Sequence, residues 1–460
     1  MQFAGTRVTV MGLGRFGGGV GVARFLLGQG ADVTVTDLDT AENLAESIAA
    51  VGDGAAYHLG GHREEDFTGA GLVVANPAVK PDSPLLALAR RSGVPITTEI
   101  NLFFERCPAR IIGVTGSVGK TTTVSMIGHA LAGPGLWVGG NIGRSLLAET
   151  ANMSRSDRVV LELSSAQLHW LGPTRLAPSV AVVTNIFPNH LDWHARMERY
   201  VAAKKNILPG RSPAGIAVLN YDDEIVRGWA SDGPAHVLFF STREQLAEGV
   251  FVRGRTLVAR SEGEDTAVLD LRAMRLPGVH NVANTAAAAA ACAAVGADLG
   301  RAGARLAEFE GAEHRLEFVT ELGGVRYYND SKATTPAASL AAIRSFDAPT
   351  VLILGGRDKG VAYEELADEA ARRKAVVLVG EMAGLLEALL AERAPAQTRV
   401  RAESIDAAVR AAAGVARPGD VVLLSPAGTS YDMFKNFEQR GRAFKDAVAR
   451  LADRGDAGPC

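Results

Sequence analysis

The sequence predicts an α/β protein built from parallel sheets in three consecutive segments. Short apolar strands alternate with helical stretches along almost all of the 460 residues. Two glycine-rich loops, at residues 12–17 and 113–122, each follow a strand and open a helix. The 47% hydrophobic content suffices for several cores, and a chain of this length holds roughly two to four domains. The segments run over residues 1–107, 108–312 and 313–460.

The first segment opens with a strand at 8–11, which leads into Gly12-Leu13-Gly14-Arg15-Phe16-Gly17 and a helix to about Gly28. A second strand, 33–37, ends on Asp37. The pattern looks like a dinucleotide fingerprint. Its physical content is narrower: open N–H groups at a helix start, and a carboxylate placed to accept from a ribose hydroxyl. That geometry serves a UDP-type group, a nicotinamide dinucleotide or a tight structural turn. The second nucleotide loop downstream favours the UDP-type group.

The middle segment holds strands at 111–115, 159–163, 180–185 and 217–220. A β-rich stretch follows at 236–241, 251–260 and 266–271, then an alanine-rich helix after Asn281. Its loop reads Thr115-Gly116-Ser117-Val118-Gly119-Lys120-Thr121-Thr122. The usual pattern needs a glycine where Val114 stands, so this is the tighter T-G-x-x-G-K-T-T form. Backbone N–H groups would cradle phosphate, Lys120 would add a mobile charge, and the Thr121 hydroxyl would face Mg²⁺. Against a glycine-rich turn with a surface lysine, the strand–loop–helix context predicts ATP or GTP binding.

Glu162 ends an apolar strand. Such an acid is ordinarily a solvated turn residue, but after a phosphate loop it is where a hard cation finds oxygen ligands. His190 follows another strand of the same sheet and could reach that site, or serve as a loop hydrogen bonder. Lys204-Lys205 lies on a helical stretch and reads as a solvated face, which gives Lys204 no role on physical grounds alone.

The third segment carries strands at 325–328, 351–354, 376–379 and 421–424 and closes with a helix from about Tyr431. The net charge of −3 points away from nucleic-acid or membrane-surface binding. Cys107, Cys292 and Cys460 form no disulfide framework or zinc pattern, which suits a reducing, cytoplasmic setting. The chain enters a strand almost at once without a signal-peptide pattern. The alanine-rich stretch 286–297 is too short to span a bilayer, so no membrane insertion is expected.

Nine motifs in order carry a family resemblance. They are T-G-S-V-G-K-T-T, E-L-S-S-A-Q, N-H-L-D, Y-V-A-A-K, L-P-G-V-H-N-V-A-N, H-R-L-E, N-D-S-K-A-T, G-G-R-D-K-G and S-P-A-G-T-S-Y-D-M-F-K-N-F-E-Q-R-G. The chain resembles the Mur ligases, ATP-dependent enzymes that build the peptidoglycan stem peptide. N-D-S-K-A-T and F-K-N-F-E-Q-R-G resemble the branch that adds D-glutamate to UDP-N-acetylmuramoyl-L-alanine. A nicotinamide oxidoreductase would fit the first glycine loop but leave Lys120, Glu162 and N-D-S-K-A-T unexplained. Another ligase of the family, adding L-alanine, a diamino acid or polyglutamate, is the nearer alternative.

The resemblance implies a Rossmann-like N-terminal domain for the UDP substrate, a central P-loop mononucleotide-binding ATPase domain, and a C-terminal Rossmann-like α/β domain for the amino acid. It implies a monomer with ATP and two Mg²⁺ ions. Gly116, Ser117, Val118, Gly119, Lys120, Thr121 and Thr122 would hold the ATP phosphates, with Asn281, Asn284, Arg315 and Asp330 on the nucleotide. Thr121 and Glu162 would bind one Mg²⁺, and His190 a second, bridged by Lys204 as an Nζ-carbamate. Lys120, Lys204, His190 and Glu162 would thus be the catalytic set. Gly14, Arg15, Phe16 and Asp37 would lie around the UDP group, and Asn141, Ser164 and Gln167 nearer the muramoyl-alanine. Lys332, Thr334, Lys359, Ser430 and Phe437 would surround D-glutamate. The implied chemistry activates the alanyl carboxylate as an acyl phosphate, which the amine of D-glutamate then attacks. The chain departs from the family pattern at Ser117-Val118, Ala166, Asn76-Pro77-Ala78-Val79 and Thr335.

Overall fold

The computed structural model describes residues 3–14, 18–141, 145–210, 212–232, 236–276, 278–311, 313–358 and 360–455. By its internal contacts the chain divides into two compact units. The first is Met1–Leu269 with Ala283–Leu306, and the second is Asp270–Val282 with Ala307–Cys460.

The first unit contains two sheets. The five-stranded one is built from β1 (Arg7–Met11), β2 (Asp32–Asp37), β3 (Ala56–Leu59), β4 (Leu72–Ala75) and β5 (Ile96–Thr97), in the order β3-β2-β1-β4-β5. Its pairings are parallel. β4 is buried along its whole length, as a strand covered on both faces should be. The loop after β1 and the end of β2 therefore lie side by side.

The nine-stranded sheet comprises β6 (Arg110–Thr115), β7 (Leu136–Gly140), β8 (Arg158–Glu162), β9 (Val180–Val183), β10 (Ile216–Asn220), β11 (His236–Ser241), β12 (Gly249–Arg253), β13 (Thr256–Ser261) and β14 (Glu264–Asp270). The order is β14-β13-β12-β11-β10-β9-β6-β8-β7. β6 pairs in parallel with β8 on one side and β9 on the other. The winding direction reverses at β6, and the crevice at the carboxyl end of such a switch point is where α/β sheets hold ligands. Thr115, Glu162 and Val183 all end strands at that edge.

The single stretch expected at 251–260 is instead a hairpin. β12 and β13 pair antiparallel, with Arg253 opposite Thr256. Gly254 takes φ of 61°, which lets a two-residue turn reverse the chain inside an apolar run.

The second unit holds a six-stranded sheet of β15 (Glu317–Leu322), β16 (Val325–Asn329), β17 (Thr350–Gly355), β18 (Ala375–Val379), β19 (Thr398–Ala402) and β20 (Val421–Ala427). The order is β15-β16-β20-β17-β18-β19, with only the β15–β16 pairing antiparallel among the strands described. β17, β18 and β20 are fully buried. The closing helix begins at Phe437, not near Tyr431, and runs to Gly455. Residues 431–436 form turns in which Asn436 Oδ1 accepts from the Gln439 N–H at 2.8 Å. Among the described residues, no helix is long and apolar enough to cross a membrane.

Candidate active site

The phosphate loop leaves the end of β6 and becomes the helix Lys120–Ala130. Gly119 caps that helix in the left-handed region, at φ 82°. A Cβ there would lie 2.3 Å from Asn284 Oδ1, so glycine is required twice over. Asn284 Oδ1 also accepts from Thr123 Oγ1 at 3.4 Å, which brings this residue of the alanine-rich helix against the loop.

Not every loop amide faces open space. The Ser117 N–H donates to the Asn185 carbonyl at 2.9 Å, and the Val118 N–H to Asn185 Oδ1 at 2.9 Å. Amides in the first turn of a helix have no acceptor within the helix, which suits that turn to an anion. Lys120 curls back, donating from Nζ to the carbonyls of Gly116 at 2.9 Å and Ser117 at 3.0 Å. Its ammonium therefore hangs over the mouth of the loop.

Glu162 is 3% exposed at the end of β8. The Thr121 hydroxyl donates to its Oε2 at 2.6 Å, and Asn141 Nδ2 donates to its Oε1 at 2.9 Å. Three predicted residues from three elements thus meet at one carboxylate. Hard oxygen donors in a buried setting suit Mg²⁺.

Lys204 corrects the expectation of a solvated pair. Lys205 does face solvent, bonded to Asp232 at 2.5 Å, whereas Lys204 is 1% exposed. Its Nζ donates to Thr115 Oγ1 at 3.1 Å and to the Gly116 carbonyl at 2.8 Å, directly beneath the loop. Burial, and then the Lys120 ammonium, push its pKa well below the usual lysine value, with Glu162 pulling the other way. The helix Met197–Lys205 turns one lysine inward and the next outward.

His190 lies at an exposed position with φ of 52°, just before the short helix Leu191–His194. The sequence reading missed His194, which is buried with Nε2 2.9 Å from Ser165 Oγ. It also missed Tyr200, whose OH lies 2.8 Å from Ser117 Oγ. The aromatic in Y-V-A-A-K was the available signal for Tyr200.

In the five-stranded sheet, Asp37 accepts from the Gly14 N–H at 3.1 Å and from the Asp39 N–H at 2.9 Å. It fastens the glycine loop to the end of β2, and each oxygen keeps accepting capacity for a further donor. Arg15 and Phe16 lie outside the described residues. Ser164 and Gln167 form a capping box on the helix Ser165–Leu171, the Ser164 hydroxyl taking the Gln167 N–H and the Gln167 side chain taking the Ser164 N–H.

In the second unit, Asp330 is buried after β16. It accepts from the Leu316 N–H at 3.1 Å and from Ser425 Oγ at 2.8 Å. Burial pushes its pKa up to about 7, against those two hydrogen bonds and the positive Arg315 and Arg440. Arg315 sits between His314 and Leu316, which take φ of 64° and 43°, so this turn carries backbone strain. Asn281 belongs to the same unit, at the start of the helix Val279–Ala294.

Lys332 places Nζ 5.6 Å from the centre of the Phe437 ring. Thr334 is linked to Lys332 by a 2.9 Å main-chain bond, and the Ser430 carbonyl accepts from the Phe434 N–H at 2.8 Å. Lys359 lies outside the described residues. The residue missed here is Arg440, 3% exposed on the closing helix. It donates to Ser331 Oγ at 3.0 Å, the Ser331 carbonyl at 2.8 Å and the Gly428 carbonyl at 3.1 Å. It thereby clamps the segment carrying Lys332 to the loop carrying Ser430. Arg440 lies within the F-E-Q-R-G run, where the local pattern alone gives the arginine no role.

Three family models match successive parts of the chain. They are a Mur ligase MurD-like N-terminal domain at residues 6–98, a Mur ligase middle domain at 114–292, and a Mur ligase glutamate ligase domain at 314–428. Among curated proteins, the UDP-N-acetylmuramoylalanine–D-glutamate ligase of Roseiflexus sp. (strain RS-1) is 43% identical over 97% of this chain and 99% of its own length. The enzyme of the same name from Symbiobacterium thermophilum is 42% identical over 97% and 98%. Among solved structures, a UDP-N-acetylmuramate–alanine ligase from Thermotoga maritima superposes with a TM-score of 0.61 at 20% identity, covering 98% of this chain and 100% of that one. That likeness is one of fold.

Proposed function

Because this chain belongs to the Mur ligase family, we propose that it joins D-glutamate to UDP-N-acetylmuramoyl-L-alanine with cleavage of ATP to ADP and phosphate, in the cytoplasmic synthesis of peptidoglycan precursors. The observation that carries the ligase chemistry is the buried Glu162 carboxylate, held by Thr121 and Asn141 beside Lys120 at the carboxyl edge of β6 and β8. The choice of D-glutamate rests on the full-length relatives named for that reaction.

Amide formation needs an activated acyl group. Lys120 is suited to follow the γ-phosphoryl group as its charge shifts toward the alanyl carboxylate, because charge placed where it develops lowers the barrier. The first-turn amides of the helix Lys120–Ala130 would orient the phosphates. Thr121 and Glu162 would hold one Mg²⁺, and His190 with a carbamylated Lys204 a second; the ions would neutralise charge on the phosphates. Lys204 suits carbamylation because CO₂ adds only to a neutral amine, and this amine is buried with a lowered pKa. Asp37 and the Gly12–Gly14 turn would bind the uridine diphosphate handle. Asn281, Asn284, Arg315 and Asp330 would contact the nucleotide. Lys332, Lys359, Thr334, Ser430 and Phe437 would anchor the two carboxylates of D-glutamate.

The test is phosphate release from ATP with UDP-N-acetylmuramoyl-L-alanine and a panel of amino acids. Release that requires D-glutamate, with little response to L-glutamate, L-alanine or a diamino acid, supports the reading. Faster turnover with L-alanine or a diamino acid overturns the D-glutamate assignment and leaves the ligase class standing.

A further inference from the structure

The hydroxyl of Ser117 sits within the phosphate loop yet is spent entirely on protein. It lies 2.8 Å from the Tyr200 OH, 2.9 Å from the Phe187 carbonyl and 2.7 Å from the Phe187 N–H. A serine hydroxyl has one proton to give and two lone pairs to accept with. The only assignment that satisfies all three contacts has Ser117 donating to the Phe187 carbonyl while accepting from the Phe187 amide and the Tyr200 hydroxyl. Both side chains are buried, Tyr200 completely. Phe187 is 52% exposed, so its own side chain adds little packing, although Ile186 before it is buried in the core. At Phe187 the chain is held through its main chain, tied to a loop residue 70 positions earlier.

Neighbouring contacts add to the tie. Asn185 takes the Ser117 N–H on its carbonyl and the Val118 N–H on its side chain. Asp223 takes the Ile186 N–H at 2.7 Å from the far side. Tyr200 reaches the latch from the helix Met197–Lys205, the same helix that delivers Lys204 under the loop.

We propose that Ser117 and Tyr200 are positioning residues, forming a hydrogen-bonded latch that locks the phosphate loop to segment 185–190 and keeps the loop in register for phosphoryl transfer. The catalytic half of this statement rests on the ATP-ligase reading; the latch itself does not. It follows that the Ser117 hydroxyl acts on the nucleotide only through the loop's shape. Removing it should lower kcat and leave the KM for ATP nearly unchanged.

Two measurements on the full chain separate these parts. The first is hydrogen exchange of residues 186–192 in the substrate-free protein. Ser117→Ala removes both Phe187 contacts and should speed exchange there by at least roughly 2- to 12-fold, the range for losing one ordinary hydrogen bond. Tyr200→Phe, which keeps the ring and loses only the hydroxyl, should act in the same direction. Ser117→Thr keeps the hydroxyl and should restore the wild-type rate. The second is steady-state kinetics, where kcat should fall in the Ala and Phe variants, recover in the Thr variant, and leave the KM for ATP within about twofold of the wild type.

Unchanged exchange in both Ser117→Ala and Tyr200→Phe overturns the latch. So does a Thr variant that exchanges as fast as the Ala variant. A raised KM for ATP with kcat intact overturns the positioning role and makes Ser117 a nucleotide contact. A wild-type chain without ligase activity would overturn the functional reading, while the exchange data would still decide the latch.

Discussion

Asp330 should make the second unit less stable as pH rises, and Asp330→Asn should reverse this. The folded carboxyl titrates at about 7 and the unfolded one near 3.8. Between those values the folded state binds more protons than the unfolded state. The free energy of unfolding therefore falls as pH increases through that window, by about 1.4 kcal/mol per pH unit. The destabilisation is absent below the unfolded value and complete above the folded one, where it reaches about 4 kcal/mol. Asparagine cannot ionise and has nearly the same shape. Its oxygen can keep the Leu316 N–H, and its amide can donate to Ser425 Oγ, which rotates to accept. The variant should thus gain stability over the wild type progressively from about pH 4 to pH 7 and hold that gain above it. Hydrogen exchange of the β16 and β20 amides, compared between the two proteins at the same pH so that intrinsic rates cancel, reads the difference. A gap that does not change with pH would refute the burial argument. Because Asp330 is also proposed to contact the nucleotide, the stabilised variant should bind ATP more weakly.

Lys120→Ala should cut kcat by roughly 10²–10³, the scale of losing one preorganised stabilising group; near-normal turnover would remove the loop from the chemistry. Lys204→Ala should abolish ligation, with partial recovery on adding a short carboxylic acid that resupplies the oxygens of a carbamate. No recovery across a series of such acids would count against the carbamate and favour a purely structural buried amine. Asp37→Ala should raise the KM for the UDP substrate with a smaller effect on kcat, since a handle is bound about equally in ground and transition states. Tight NADH binding that UDP does not displace would point instead to a nicotinamide enzyme.

What the sequence conveyed well was chemistry written locally. The strand–loop–helix order around Lys120 and the acid closing the strand at Glu162 are contiguous patterns, and both stand where the spacing put them. So does Asp37 at the end of β2. What it conveyed poorly was set by tertiary packing. Nothing in Lys204-Lys205 says which lysine is buried; that depends on the face the helix Met197–Lys205 turns toward Thr115. The Ser117 latch joins residues 83 positions apart and uses the main chain of Phe187, which carries no residue-type signal. The clash that keeps Gly119 a glycine comes from Asn284 on a remote helix. Arg440 was visible within a motif, but its clamp on Ser331 and Gly428 requires knowing that β16, β20 and the closing helix converge. The stretch 251–260 reads as one strand in sequence because β-forming residues flank Gly254 on both sides, where the structure has a hairpin.

The central claim is that the loop at Lys120 drives amide formation by phosphorylating the alanyl carboxylate. Isotope transfer tests it most directly. UDP-N-acetylmuramoyl-L-alanine labelled with ¹⁸O in that carboxylate is turned over with ATP and D-glutamate, and both products are analysed by mass spectrometry. An acyl phosphate intermediate sends one labelled oxygen into the released phosphate and leaves the other in the new amide. Unlabelled phosphate accompanying amide formation would contradict the account, because ATP would then have been cleaved without passing its phosphoryl group to the carboxylate.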